Sequence, residues 1–280
     1  MPPIVDAYTV FKSNKENPPL ARQSLKTMIE TGCETLDGLE TYRLEATSTS
    51  AGKSFFSYKG DRGDSRAINP DIYLKDITDS QINTILDADF DELDSQQINS
   101  LIYTVAINTC CAFDVACGNS SRPAYAFEWM IGYLVSRHLG VAPIRTLPEL
   151  NGVNLPVDLY FRTQHCTIAV PVKITTRERA SQAWIQQRIL DGIIGKGAVR
   201  GLFFLMAETN RVKQQGRVKI QETCVPEQWL LYQKYVSQLH SIFYLDPPVP
   251  YWARREQLNI RYMGEFFTET AEVLSSQPSA

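Results

Sequence analysis

The stretch LPVDLYFRTQHCTIAVPVKITTRERASQAW, residues 155–184, decides the fold. It contains two apolar runs rich in β-branched and aromatic residues, LPVDLYF (155–161) and CTIAVPVKI (166–174), with RTQH between them. Such runs predict two strands that form a hairpin or lie as neighbours in one sheet. The sequence after them, from Glu178 to Asp191, predicts a helix that Gly192 ends.

The flanking sequence continues the same alternation of helix and strand. A helical pattern ends at Gly140, a frequent C-terminal stop, and the apolar run 199–207 predicts a buried central strand. A helix with proline in its first turn follows over 226–239, and SIFYL (241–245) predicts a further strand. This order predicts an α/β fold with a central mixed sheet flanked by helices.

The first part of the chain has a different pattern. Residues 1–116 predict a mostly helical region, with helices near 20–31 and 79–87 and a third that begins at 95. The segment CGNSSRP interrupts the pattern from residue 117. We therefore expect a mostly helical N-terminal region before an α/β core at 117–280.

Composition restricts the class of protein. The 280 residues are 44% hydrophobic and 21% charged, as in ordered globular proteins. No secretory signal and no run of about 18 apolar residues is visible. The six cysteines lack zinc-ligand spacing, and the adjacent Cys110 and Cys111 suit buried thiols better than disulfides. These features predict a cytoplasmic protein with no membrane association.

Charge is distributed unevenly along a chain whose formal net charge is only −3. Ten basic and three acidic residues lie between positions 173 and 219, whereas eight acidic residues and one lysine lie between 71 and 94. A locally basic half is what an anionic polymer would bind. Two ordinary solvated surfaces of opposite sign would have the same composition.

Three residues could form a site for phosphodiester hydrolysis. Asp158 lies in the first predicted strand of the opening stretch and Lys173 at the end of the second, so both can meet at one edge of the sheet. Glu128 lies in the helix before them. Two carboxylates can hold Mg²⁺, and a lysine can steady the attacking water or the developing charge. These residue types are common, so other roles stay open.

The residues after Lys173 suit recognition of DNA bases. Arg177, Glu178 and Arg179 open the predicted helix, and Arg179, Gln182 and Gln186 share one of its faces. In a major groove arginine pairs with guanine, glutamine with adenine and glutamate with cytosine. The alternative is a solvated first turn, but two arginines there oppose the helix dipole.

The run from Lys173 to Arg179, followed by Gln182, resembles the signature of PD-(D/E)XK type II restriction endonucleases. It is most similar to the SsoII/PspGI/EcoRII and CCGG-cutting group. The resemblance implies Asp158 as the central metal ligand, Lys173 as the catalytic lysine and Glu128 as the upstream carboxylate. It also implies Arg177, Glu178 and Arg179 as base readers, with Gln182 as a further candidate, and Gln186 is a candidate through its position on the same helical face. The helical N-terminal region would then serve DNA clamping or dimerisation. The strong match covers about 30 residues.

The sequence departs from that signature in three places. One residue is inserted in the usual Pro-Asp pair, which here is Pro156-Val157-Asp158. The acid expected two residues before Lys173 is Pro171, and the helix positions to which that acid can migrate hold Gln186 and Gln187. Glu128 then becomes the expected second metal ligand.

The resemblance implies a Mg²⁺-dependent homodimer that cuts both strands of a short palindromic double-stranded DNA site with CC/GG steps, of the CCGG or CC-N-GG type. A cognate DNA methyltransferase would be its genetic partner. Three alternatives remain open: a sequence-specific DNA-binding protein on an inactive nuclease fold, a repair or structure-specific nuclease, and an α/β enzyme acting on a small phosphorylated substrate.

Overall fold

The structure is a computed structural model of the chain. It describes residues 1–50, 52–118, 120–150, 152, 155, 157–176, 181–214, 216–270 and 274.

Ten helices occur in the described residues. The first five are α1 (Pro3–Asn14), α2 (Pro18–Leu36), α3 (Asp79–Asp87), α4 (Ser95–Cys117) and α5 (Arg122–Leu139). The second five are α6 (Gln182–Ile193), α7 (Pro226–Tyr235), α8 (Val249–Trp252), α9 (Arg255–Leu258) and α10 (Met263–Thr268). Short 3-10 turns lie at Ser48–Ser50 and Pro148–Leu150.

Ten strands occur in the same residues. The first five are β1 (Thr41–Ala46), β2 (Phe55–Tyr58), β3 (Leu159–Arg162), β4 (Thr167–Val170) and β5 (Val172–Lys173). The second five are β6 (Val199–Leu205), β7 (Thr209–Gln214), β8 (Arg217–Glu222), β9 (Ser241–Tyr244) and β10 (Ile260–Tyr262).

The larger sheet has the strand order β10-β9-β6-β4-β3, and β5 also pairs with β6. The β3–β4 pair is antiparallel, whereas β4, β5 and β9 all run parallel to β6. All seven residues of β6 except Arg200 are buried, as expected for a central strand covered on both faces. This is the mixed sheet flanked by helices that the sequence predicts.

A second, four-stranded sheet has the order β2-β1-β8-β7. β7 and β8 form an antiparallel hairpin, and β8 pairs in parallel with β1. This pairing connects the first part of the chain with the second in one sheet. The main hydrophobic core also contains residues from both parts, including Phe113 and Phe243.

The longest helix, α4, lies at the centre of that core. It begins with a capping box in which Asp94 and Gln97 exchange hydrogen bonds. Its length and apolar composition would allow it to cross a membrane, but 78% of its most apolar window is buried inside the protein. That degree of burial is typical of a core helix. Cys110 and Cys111, near its end, are buried free thiols as predicted.

Several predicted elements are confirmed and others need correction. α5 ends at Gly140, whose φ of 66° is the left-handed conformation that glycine adopts readily. The strands at 199–207 and 241–245 appear as β6 and β9. The predicted strand over 166–174 is divided at Pro171 into β4 and β5, since proline cannot donate a ladder hydrogen bond.

Two features of the structure go beyond what the sequence predicts. Most of the basic segment 211–219 belongs to the β7–β8 hairpin. The mostly helical first part also contains the antiparallel pair β1 and β2, and the helix α1 was not predicted. Neither strand pair has a long apolar run, because each presents much of its surface to solvent.

Candidate active site

Asp158 and Lys173 form an ion pair at the edge of the larger sheet. Lys173 Nζ donates to Asp158 Oδ2 over 2.6 Å, and the backbone N–H of Val172 donates to the same oxygen over 2.7 Å. Both side chains are largely shielded from solvent. The two bonds fix the carboxylate relative to β5, so the predicted metal ligand and the predicted catalytic lysine lie in direct contact.

The register of β3 and β4 explains this contact. Leu159 pairs with Val170, so continuing the register by one residue brings Pro171 opposite Asp158. Side chains alternate between faces along a strand, and Lys173, two residues further, therefore points to the same face as position 171. Pro171 has no N–H to donate, and the Asp158 carboxylate accepts from the next amide, that of Val172.

Glu128 is brought to this pair by α5. Its carboxylate Oε1 accepts from Arg145 Nη1 over 3.2 Å, and the same nitrogen donates to the backbone carbonyl of Asp158 over 2.6 Å. Burial raises the pKa of the Glu128 carboxyl, and the charge of Asp158 raises it further, while Arg145 and Lys173 act in the opposite direction. The structure thus brings together all three residues predicted for hydrolysis.

The two carboxylates suit a magnesium ion. Within the described residues, no group of three or more His, Cys, Asp or Glu side chains is arranged to hold a metal. Mg²⁺, however, is usually bound by one or two carboxylates together with water and substrate phosphate oxygens. The hydrogen bonds from Val172 and Lys173 both go to Oδ2 of Asp158, and neither goes to Oδ1. An acidic pair of oxygen donors fits this hard cation.

The residues predicted to read DNA bases follow Lys173 in the sequence. Arg177, Glu178 and Arg179 lie outside the described residues. Gln182 is the first residue of α6 and is partly exposed. Gln186 lies one turn further and is only 5% exposed, on the face of α6 that packs against the protein. So small an exposed fraction leaves little of the Gln186 side chain available to a base edge.

A buried glutamate anchors the chain just before these readers. The carboxylate of Glu208, the residue immediately before β7, accepts from the backbone N–H of Thr176 over 3.0 Å and from the Thr175 hydroxyl over 2.8 Å. The Tyr244 hydroxyl donates to it as well, over 3.1 Å. These bonds hold residues 175–176 against the ends of β6 and β9. The path of the chain into residue 177 therefore starts from a fixed point.

An open cleft of about 650 Å³ adjoins the site. It is lined by Thr175, two residues after Lys173, and by Ala124, one turn of α5 before Glu128. Its far wall comes from the loop at 62–67 and from β7, where Arg62 and Asn210 are exposed. The cleft therefore extends from the residues that follow Lys173 to the second sheet, and Glu128, Asp158 and Lys173 lie outside its lining.

Comparison with known proteins identifies the fold. No protein-family model matches the chain, and no curated protein matches it. Among solved structures, it is similar to one described as the crystal structure of the type IIP restriction endonuclease Kpn2I. The TM-score is 0.85, the sequences are 23% identical, and the match covers 100% of both chains. The chain thus has the fold of a restriction endonuclease over its whole length.

Sequence reasoning missed Arg145. It lies in VAPIRT (141–146), a segment with no helical or strand periodicity. Its position depends on Ile144, which exchanges two backbone hydrogen bonds with Tyr160 of β3. No local signal could have revealed this residue, because its neighbours Glu128 and Asp158 are 17 and 13 residues away in sequence.

Proposed function

We propose that the protein is a type II restriction endonuclease that hydrolyses phosphodiester bonds in both strands of a short palindromic DNA site. The observation that carries the proposal is the contact between Lys173 and Asp158 at the end of paired strands, with Glu128 beside it. The likeness to Kpn2I over the entire chain supports the same activity.

Each residue of this site has a chemical task. Asp158 and Glu128 would hold Mg²⁺, which would supply Lewis-acid polarisation of the scissile phosphate. The Lys173 ammonium, oriented by Asp158, would hold the attacking water and stabilise the negative charge that develops on the phosphate oxygens. In the hydrolysis a phosphorus–oxygen bond forms to the water oxygen and the bond to one sugar oxygen breaks. The water gives up one proton to solvent, and the leaving sugar oxygen takes one up to become a hydroxyl.

Recognition would use the segment that begins at Arg177. Arg177 and Arg179 would pair with guanine, Glu178 would accept from cytosine, and Gln182 would contact a further base edge. We propose a site with CC/GG steps, of the CCGG or CC-N-GG type, because the run after Lys173 resembles enzymes that read such steps. The exposed wall of the cleft would contact the DNA backbone and thereby position the duplex.

Symmetric cutting of a palindrome requires two active sites related by a two-fold axis. We therefore propose a homodimer, with one copy of the site acting on each strand. We also propose a cytoplasmic location, because such an enzyme must act on DNA in the cell. A cognate methyltransferase would be its genetic partner, because the DNA of the host cell must be protected from cutting.

The direct test is to incubate the purified protein with phage DNA in Mg²⁺ and, separately, in EDTA. We expect discrete fragments that require Mg²⁺ and are lost in Lys173→Ala. The matched control is Lys75→Ala, which removes an exposed lysine far from Lys173 in the sequence and should leave the fragments unchanged. Sequencing of the fragment ends would identify the site. A smear would instead indicate a non-specific nuclease.

One observation favours a second candidate, a DNA-binding protein on an inactive nuclease fold. Position 171, opposite Asp158, holds a proline, and both Gln186 and Gln187 are buried. Gln187 donates to the carbonyl of Val199 and to Asp191, which is a structural role. Intact DNA in the cleavage assay together with a shifted band in a gel would support this candidate.

A further inference from the structure

Arg145 links the two carboxylates of the proposed active site. A single guanidinium nitrogen, Nη1, donates to the side chain of Glu128 and to the backbone carbonyl of Asp158. One contact belongs to a helix and the other to the residue just before β3. The arginine therefore connects two elements that supply the site from different directions.

The backbone near Arg145 is held in place independently of that side chain. Ile144 N–H donates to the Tyr160 carbonyl over 2.8 Å, and Tyr160 N–H donates to the Ile144 carbonyl over 2.9 Å. This isolated antiparallel bridge extends the sheet beyond β3. Arg145 consequently starts from a fixed point beside Asp158 and reaches towards α5.

Without a bridging cation, Glu128 would be poorly positioned. Two neighbouring carboxylates repel each other, and Lys173 binds directly to the oxygen of only one of them, Asp158. A glutamate has three rotatable side-chain bonds, so an unrestrained carboxylate would lose entropy whenever it joined Asp158 at a common ligand. Arg145 reduces both penalties, because it carries positive charge and holds the Glu128 carboxylate towards β3.

We infer that Arg145 is a positioning residue that holds Glu128 beside Asp158 and thereby sets the affinity of the site for divalent cations. This inference rests on the proposed function, since it assumes that the two carboxylates bind the ion. The planar guanidinium suits the task because its several N–H groups point in fixed directions, whereas a lysine presents one compact ammonium group. Lysine at this position should restore charge and part of the contact.

The test measures cation binding without DNA and without catalysis. Tb³⁺ luminescence would be titrated in wild-type protein and in Arg145→Ala, Arg145→Met and Arg145→Lys, with Mg²⁺ as competitor. We expect roughly tenfold weaker binding in the alanine and methionine variants, as for other residues that orient metal ligands. The lysine variant should lie between these variants and the wild type.

Arg162 provides a matched control. It lies at the end of β3, its side chain is 46% exposed as is that of Arg145, and it also pairs with a glutamate, Glu149. Arg162→Ala should bind Tb³⁺ as tightly as the wild type. Thermal unfolding of every variant would establish that the protein is folded, and Arg145→Lys retains charge and bulk if the alanine variant is unstable.

The outcomes separate the inference from the function on which it rests. Equal or tighter binding in Arg145→Met would overturn the inference, because the arginine would then act only as a charge that competes with the ion. Asp158→Asn should weaken binding more than any change at Arg145. If Asp158→Asn left Tb³⁺ binding unchanged, the metal site itself would be wrong, and with it the proposed hydrolysis.

Discussion

Glu208 illustrates, at the scale of a single residue, how a buried charge supports the site from a distance. It is 1% exposed and accepts hydrogen bonds from Thr175, Thr176 and Tyr244. Burial raises the pKa of its carboxyl above the ordinary value of 4.5, although these hydrogen bonds oppose the rise. The side chain thus fixes the chain before Arg177 at an electrostatic cost.

We expect Glu208→Gln to gain stability relative to the wild type as pH rises. A raised pKa in the folded state means that the folded protein binds more protons than the unfolded chain above pH 4.5. The favourable contribution of protonated Glu208 is fully present below that pH and is lost as pH rises through the folded-state pKa. Glutamine does not titrate and retains an acceptor for Thr176.

Urea unfolding at pH 5 and pH 8 would measure this effect. The difference in unfolding free energy, variant minus wild type, should be more positive at pH 8. The same change at the exposed Glu227, on α7, should show no such trend. A difference for Glu208→Gln that did not vary with pH would contradict the assigned pKa direction.

At the scale of secondary-structure elements, Lys53 connects the two sheets. Its ammonium contacts Glu222 of β8 over 2.6 Å and Asp246, beyond β9, over 2.7 Å, and it donates to the Pro247 carbonyl. Both carboxylates are almost fully buried. These three bonds within the protein give Lys53 a structural role.

Removal of Lys53 should therefore destabilise the fold strongly. Lys53→Met leaves two buried carboxylates without their cation, and such a loss costs about 3–5 kcal/mol. The matched control is Lys59→Met, because Lys59 pairs with Glu40 on the surface, where an ion pair contributes at most about 1 kcal/mol. Denaturant unfolding would measure the loss of unfolding free energy in both variants. Equal losses would show that burial of the Lys53 ion pairs does not increase their contribution to stability.

At the scale of the whole molecule, the cleft between the two sheets is the proposed path of the DNA. Arg66 and Arg211 in its wall are already bound, to Asp114 and to the hydroxyls of Tyr42 and Ser57 respectively. Arg62, by contrast, is exposed at the rim. It is therefore the arginine of this wall that we expect to contact a phosphate.

Arg62→Ala should weaken DNA binding to a similar extent for all sequences and reduce the salt slope of the affinity by about one. Anisotropy titrations of a labelled duplex at several salt concentrations would measure both quantities. Arg255→Ala, on α9, removes an exposed arginine outside the cleft and should leave the slope unchanged. A salt slope in Arg62→Ala equal to that of the wild type would mean that the DNA does not contact Arg62.

The proposed dimer leads to a prediction about the products. A mixed dimer of wild-type and Lys173→Ala chains has one functional copy of the site, so it should nick supercoiled plasmid and produce little linear DNA. Differently tagged chains would be co-expressed and the mixed species isolated before the assay. Linear DNA formed at the wild-type rate would mean that one site cuts both strands, whereas light scattering at the mass of one chain would exclude the dimer.

The elements that the sequence predicts well are those whose patterns are local. The apolar run of β6 and the glycine stop after α5 could be predicted because burial and backbone conformation depend there on neighbouring residues. The positions of Asp158 and Lys173 on two neighbouring predicted strands also allowed their contact to be expected. Their roles in catalysis stay predictions.

The sequence by itself determined the larger α/β sheet, the helix α5 and the pairing of a carboxylate with a lysine, because these follow from periodicity over short distances. Only the tertiary structure decided the second sheet, in which β1 meets β8, and the position of Arg145 between Glu128 and Asp158. Such contacts join residues that are far apart in the chain, and exposed strands and irregular loops carry no periodic signal to predict them.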